Sequence, residues 1–301
     1  MKKLFNKKNI SNLALACVAY FFYYIIYFFI PYSVASKIGY LLGVYLIAKV
    51  PIKRRAEVLK NMALCFPNKP KSVIKQIYKE SCGNFGRVIF EMPKINKGFN
   101  VDKYVKIHDE NNVKDYSKNN NIILIGAHMA NWEMIAKQAN YFQSLFYAIY
   151  KPPHNPYLAK FFVKMRLNVS KRIYPTQLNK ESIIKFNKKL LEKNTNDPII
   201  IAMFTDQKTY EGITTTFFGR KVTTLNLLPR LAIKNHIKMY PVRCVRRDGI
   251  YFDMYIEKPL EIVSTGNTTE DIKLLTQANN NKIEEWITKY PEQWFWLHKR
   301  W

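Results

Sequence analysis

Two nearly unbroken apolar runs, NIILIGA at 121–127 and PIIIAMFT at 198–205, constrain this chain more than any other feature. A strand with one wet face alternates apolar and polar residues, whereas a run without that alternation is covered on both faces, as in a parallel sheet between helical layers. SLFYAIY at 144–150, KMYPVRCV at 238–245 and YFDMYIE at 251–257 read as further strands. Charged, helix-like stretches fill 53–65, 71–90, 131–142, 155–170, 181–193 and 226–235. A last long helix is expected where Thr268 and Asp271 show capping-box spacing and Ile272, Leu275, Ile283, Trp286 and Ile287 recur at helical spacing, with Pro291 ending it. The expected fold is α/β, with a central, mostly parallel sheet flanked by helices. With 301 residues and 48% hydrophobic content, the chain can bury a sizeable core.

A different pattern opens the chain. Residues 13–30, LALACVAYFFYYIIYFFI, carry no charge. As a helix these 18 positions would extend ~27 Å, close to the hydrocarbon thickness of a bilayer. A signal peptide would have a shorter, less aromatic core followed by a small-residue cleavage site, so a membrane-anchoring helix is the better reading. The stretch IGYLLGVYLIA at 38–48 is short for a span and reads as a segment that dips into or lies on the membrane. Lysines lie on both sides of the first run, so the positive-inside rule gives no orientation. These features divide the chain into a membrane-associated segment, 1–50, and a catalytic α/β domain, 51–301.

Lys and Arg outnumber Asp and Glu 48 to 22, for a net charge of +26, which calls for an anionic partner. Many of the aromatic residues cluster near the N-terminus rather than interleaving with basic residues, which favours a membrane surface over nucleic acid. The four cysteines, Cys17, Cys65, Cys82 and Cys244, form no CxxC pair, so neither a zinc site nor a disulfide framework is indicated.

Directly after the first buried run comes HMANWE, 128–133. Catalytic groups collect at the carboxyl ends of parallel strands. His128 in the turn and Glu133 in the first turn of the next helix are spaced for the carboxylate to hold one imidazole nitrogen, leaving the other as a general base. Alone the pair is weak, since a histidine beside an apolar strand is commonly a hydrogen-bonded cap. No GxSxG is present, and no serine or cysteine nucleophile adjoins it, which argues against a covalent hydrolase mechanism.

Taken together, the apolar N-terminus, RRAEVLKNMALCFP (54–67), GAHMANWE (126–133), YKPPHNPYL (150–158) with Arg166, Asp206–Gln207, FFGR (217–220), Pro241 with Arg243, and the ending PEQWFWLHKRW resemble the bacterial lipid A biosynthesis acyltransferases, within a wider HxxxxD/E acyltransferase class. Lys151 departs from an arginine often found before the proline, keeping the charge but losing a bidentate fork. The resemblance implies transfer of a fatty acyl chain from acyl carrier protein to the hydroxyl of a 3-hydroxyacyl chain on a phosphorylated glucosamine-disaccharide lipid. It makes His128 and Glu133 the catalytic pair and Asn131, Arg166, Asp206 and Gln207 substrate-binding residues, with no metal or cofactor required and no nucleic-acid partner. It also implies the bacterial inner membrane, with the catalytic domain facing the cytoplasm. FFG reads as a packed turn with Gly219 at positive φ, and PEQWFWLHKRW as architectural, with His298 not the base. The residues themselves leave open another glycolipid or glycerolipid acceptor, and a non-catalytic, basic, membrane-anchored binding protein.

Overall fold

In a computed structural model, residues 7–49, 52–95, 99–142, 144–151, 155–167, 173–179, 181, 184, 188 and 198–301 are described. The two apolar runs become β2 (Ile122–Gly126) and β5 (Ile199–Phe204), neighbours at the heart of a seven-stranded sheet. The other strands are β1 (Val105–His108), β3 (Leu145–Tyr150), β4 (Ile173–Gln177), β8 (Met239–Asp248) and β9 (Tyr251–Ile256), in the order β1-β9-β8-β2-β5-β3-β4. All pairings are parallel except β8 with β9. Every residue of β2 is buried, as its lack of alternation requires.

Helices α1 (Lys7–Phe29), α2 (Tyr32–Tyr45), α3 (Ile52–Cys65) and α4 (Lys71–Ile95) precede the sheet; α5 (Val101–Tyr104) and α6 (Val113–Tyr116) are single turns beside β1. Then come α7 (Glu133–Lys137), α8 (Pro156–Leu167), α9 (Leu227–Asn235) and α10 (Thr268–Lys289). One core cluster packs Met134, Ile135, Phe142 and Phe146 with Leu124, Ile200 and Val242; another sets α9 and Leu275 of α10 beside Ile123, Ile201 and Met239. The sheet is thus covered on both faces. α1 is long and apolar enough to cross a membrane, judged by length and composition alone.

Several boundaries differ from the sequence reading. The helix expected over 131–142 is a five-residue α7 followed by a 3-10 turn, Gln138–Tyr141. The cap of α10 is Asn267, whose side chain accepts from the amides of Thr269 and Glu270, while the Asp271 carboxylate accepts from Ser264 and Thr265 of the preceding loop. The helix expected at 181–193 lies almost entirely outside the described residues. A hairpin of β6 (Ile213–Phe217) and β7 (Arg220–Thr224) had no apolar run to announce it. Its turn is the FFG segment, where Phe218 and Gly219 both take positive φ, at 50° and 68°.

Candidate active site

β2 and β5 run parallel with Gly126 opposite Phe204, so residues two positions beyond each strand emerge side by side at the carboxyl edge. Those residues are His128 and Asp206. His128 Nδ1 lies 2.7 Å from Asp206 Oδ1, and the His128 amide donates to Oδ2 at 2.9 Å. Gly126 is required beneath them, because a Cβ there would stand 2.9 Å from the Phe204 ring. The carboxylate attached to Nδ1 is therefore Asp206 rather than Glu133, because strand register delivers it to the ring, while Glu133 opens α7.

Asp206 is fully buried and closely held: Trp294 Nε1 donates to Oδ2 at 2.8 Å, and His298 Nε2 lies 3.0 Å from its carbonyl. Burial would raise its pKa, but the charge and hydrogen bonds of His128, with His298 adding to them, hold it well below the carboxylate range. An ionised Asp206 accepts from Nδ1–H and so leaves the lone pair on Nε2. The Gln207 side-chain nitrogen stands 3.3 Å from that atom, the arrangement of a donor on a basic nitrogen. His298 is held neutral, its pKa lowered to about 4 chiefly by burial. His128, Asp206 and His298 have ligand atoms within 4.8 Å of one another, a spacing suited to a metal, but His128 Nδ1 and His298 Nε2 each already face an oxygen of Asp206.

The turn carrying His128 is held from behind. Ala130 adopts φ 47°, a left-handed conformation that is costly for an alanine. Its amide donates to the Gln293 carbonyl at 2.8 Å, and its own carbonyl accepts from Asn84 Nδ2 at 3.0 Å. The His128 carbonyl accepts from the Phe295 amide at 2.9 Å. Asn131 is fully buried, donating to Glu91 Oε2 at 2.7 Å and accepting from the Glu133 amide at 3.2 Å, so it secures the turn. Glu91, also fully buried, receives both terminal guanidinium nitrogens of Arg246, at 2.7 and 3.0 Å. Glu91, Arg246, Asn84, Trp294 and the ring of His298 escaped the sequence reading as functional supports; partners 40 to 209 positions apart leave no local signal.

Beside His128 opens a cavity of about 340 Å³, lined at its mouth by Glu133, Lys151 and Gln207 and below by Leu124, Ala148, Ala202 and Phe146. Ala202 pairs with Leu124 on one side and Ala148 on the other, so short side chains hollow the sheet face. From Tyr150 at the edge to Phe146 is four steps along β3, ~13 Å. The space suits an extended apolar chain with its polar end at the histidine. Arg166 belongs to the last turn of α8, and its side chain lies outside the described residues. Arg243 pairs with Glu257 at 2.7 Å.

Comparison with known proteins gives the family of the chain. The sequence model of the bacterial lipid A biosynthesis acyltransferases matches residues 5–301. The chain belongs to that family. It is an acyltransferase of lipid A biosynthesis. A lipid A biosynthesis acyltransferase of Haemophilus influenzae (strain ATCC 51907 / DSM 11121 / KW20 / Rd) is 24% identical over 277 residues, covering 90% of this chain and 85% of that protein. A lipid A biosynthesis palmitoleoyltransferase of Escherichia coli (strain K12) is also 24% identical over 277 residues, covering 90% and 86%. The resemblance read from GAHMANWE and its companion motifs is thus met by the family itself.

Proposed function

We propose that this acyltransferase moves a fatty acyl chain from the thioester of acyl carrier protein to the hydroxyl of a 3-hydroxyacyl chain on a phosphorylated glucosamine-disaccharide lipid. The observation that carries the reading is the His128–Asp206 couple at the mouth of an apolar cavity. His128 Nε2 takes the hydroxyl proton as the oxygen attacks the thioester carbonyl. Asp206 fixes the tautomer, so the orienting task first assigned to Glu133 falls to it. Glu133 lines the same cavity and keeps a catalytic role, its negative charge stabilising the imidazolium. Collapse of the tetrahedral intermediate expels the thiolate, which recovers the proton from His128.

Gln207 and Lys151, at the mouth, face the polar end of the substrates, while Arg166 meets phosphate or the carbonyl. Asn131 and Asp206 serve the substrates through His128 rather than by contact. Residues 51–301 form the catalytic domain and 1–50 the membrane-associated part, with the catalytic face toward the cytoplasm at the inner membrane. The basic surface serves two acidic partners, the anionic membrane and the carrier protein. The test is mass spectrometry of purified enzyme given a tetraacylated lipid A precursor and a series of acyl carrier protein thioesters. A mass gain of one acyl chain is expected, and Ala148→Phe should shift preference toward shorter donors. No acyl gain with any donor would remove the reading.

A further inference from the structure

His128 supplies the base, but the thioester carbonyl also needs a partner, because its oxygen gains a negative charge as the hydroxyl adds. A donor for that charge has to stand beside Nε2, since the attacking oxygen sits about 2.8 Å from this nitrogen and joins the carbon on which the oxyanion grows. The Gln207 side-chain nitrogen is there, 3.3 Å from Nε2 on the exposed rim of the cavity. Other polar side chains of the rim are turned elsewhere: the Lys208 ammonium faces the Tyr210 ring, 5.7 Å from its centroid, and the Thr209 hydroxyl donates to the Glu211 carbonyl. The chemistry of a carboxamide also fits. An ammonium so close to the ring would disfavour the imidazolium and weaken the base, and a carboxylate would repel the oxyanion. A carboxamide offers two N–H donors without net charge. In the resting enzyme one of them is given to Nε2. When the substrate hydroxyl takes that lone pair, the amide is released toward the adjoining carbonyl oxygen, and the contact strengthens as charge develops there.

What aims Gln207 is the end of the chain. His298 Nε2 meets the Asp206 carbonyl at 3.0 Å, the Arg300 guanidinium reaches the Gln207 carbonyl at 3.5 Å, and the Lys208 amide donates to the Lys299 carbonyl at 3.0 Å. Arg300 is 2% exposed and is itself fixed. One terminal nitrogen donates to the Thr223 carbonyl at 3.1 Å, the other to Thr224 Oγ1 at 2.8 Å and Asn280 Oδ1 at 3.1 Å. Residues 206–208 are thus pinned to β7 and α10 through the C-terminal residues, which leaves Gln207 only its side-chain torsions to move. We propose that the Gln207 carboxamide stabilises the oxyanion of acyl transfer and that Arg300 is the positioning residue holding it on target. As the hydroxyl oxygen bonds to the thioester carbon, its proton passes to His128 Nε2 and the carbonyl π pair moves onto oxygen, where the Gln207 N–H receives it. Return of that pair re-forms the carbonyl and breaks the carbon–sulfur bond, and the departing thiolate recovers the proton from Nε2. The assignment rests on the proposed reading of His128 as the base and of a thioester as the donor.

Gln207→Met in the full-length enzyme keeps the length of the side chain and removes the donor, at an exposed position where folding is not at stake. Single-turnover transfer from an acyl carrier protein thioester to a tetraacylated lipid A precursor is followed by mass spectrometry across pH, beside His128→Ala. The rate constant should fall about 10²- to 10³-fold at every pH, with the half-saturating precursor concentration unchanged. Wild-type transfer that is lost in His128→Ala but stays within about fivefold in Gln207→Met would overturn the assignment and leave the base in place. Transfer retained in His128→Ala would overturn both. A loss confined to substrate saturation would make Gln207 a binding group only, and a pH profile that shifts but regains the wild-type plateau would make it a group that tunes the base; either defeats the oxyanion role. Arg300→Lys keeps the charge and breaks the fork. It should slow transfer about tenfold in the wild-type background and less than about twofold in Gln207→Met, where nothing is left to position. An equal factor in both backgrounds would assign Arg300 to the fold alone and remove it from the mechanism.

Discussion

Replacing Asp206 by Asn isolates what the buried carboxylate does for His128. The amide is nearly isosteric, and its oxygen at the Oδ2 position still accepts from Trp294 Nε1 and the His128 amide. The amide nitrogen then replaces Oδ1, 2.7 Å from Nδ1. Two donors cannot face each other, so the imidazole takes the tautomer with its proton on Nε2 and loses the lone pair that removes the hydroxyl proton. An imidazolium and a carboxylate 2.7 Å apart attract by about 6 kcal/mol at an effective dielectric of about 20, which bounds the loss from the missing charge. At 1.36 kcal/mol per decade that ceiling is about four powers of ten. The amide dipole recovers part of the attraction, so kcat should fall about 10³- to 10⁴-fold with KM little changed, the scale seen when the orienting aspartate of a serine protease triad is amidated. The assay is single-turnover acyl transfer followed by mass spectrometry, after circular dichroism and thermal melting confirm folding. A folded Asp206→Asn enzyme with kcat within about tenfold of wild type would refute the tautomer argument.

Three further outcomes are expected. His128→Ala should lower turnover about 10²- to 10⁴-fold and Glu133→Gln should be severe, with the double variant little worse than His128→Ala; multiplicative single-turnover losses would show that the two groups act separately. His298, lowered to about 4 against an unfolded value near 6.5, stays neutral while the unfolded chain takes up its proton first. Its contribution to stability is complete above about pH 6.5 and is lost as pH falls to about 4, on the order of 3 kcal/mol; denaturant melts across this range should show that slope reduced in His298→Gln. Glu91→Ala leaves the Arg246 guanidinium buried without its carboxylate and should cost about 3–5 kcal/mol in urea unfolding, whereas Glu91→Met with Arg246→Met should cost less than Glu91→Ala alone.

The sequence alone determined the central sheet, because β2 and β5 lack the alternation of half-wet strands and therefore demand cover on both faces. It also determined that His128 stands at the carboxyl edge of the sheet, since a histidine two residues past a buried strand emerges there whatever the rest of the chain does. Strands β1, β4, β6 and β7 were not legible, being short and carrying polar residues, so their pairing depends on neighbours distant in sequence. Only the tertiary structure decided which carboxylate meets the imidazole. β3 and β4 intervene between β2 and β5 in the chain but lie beyond β5 in the sheet, and that order, with Gly126 in register with Phe204, sets Asp206 beside His128 across 78 residues. Glu133 was the nearer choice in sequence because helical spacing is visible there; the order of strands is set by packing of the whole sheet, which no local pattern encodes.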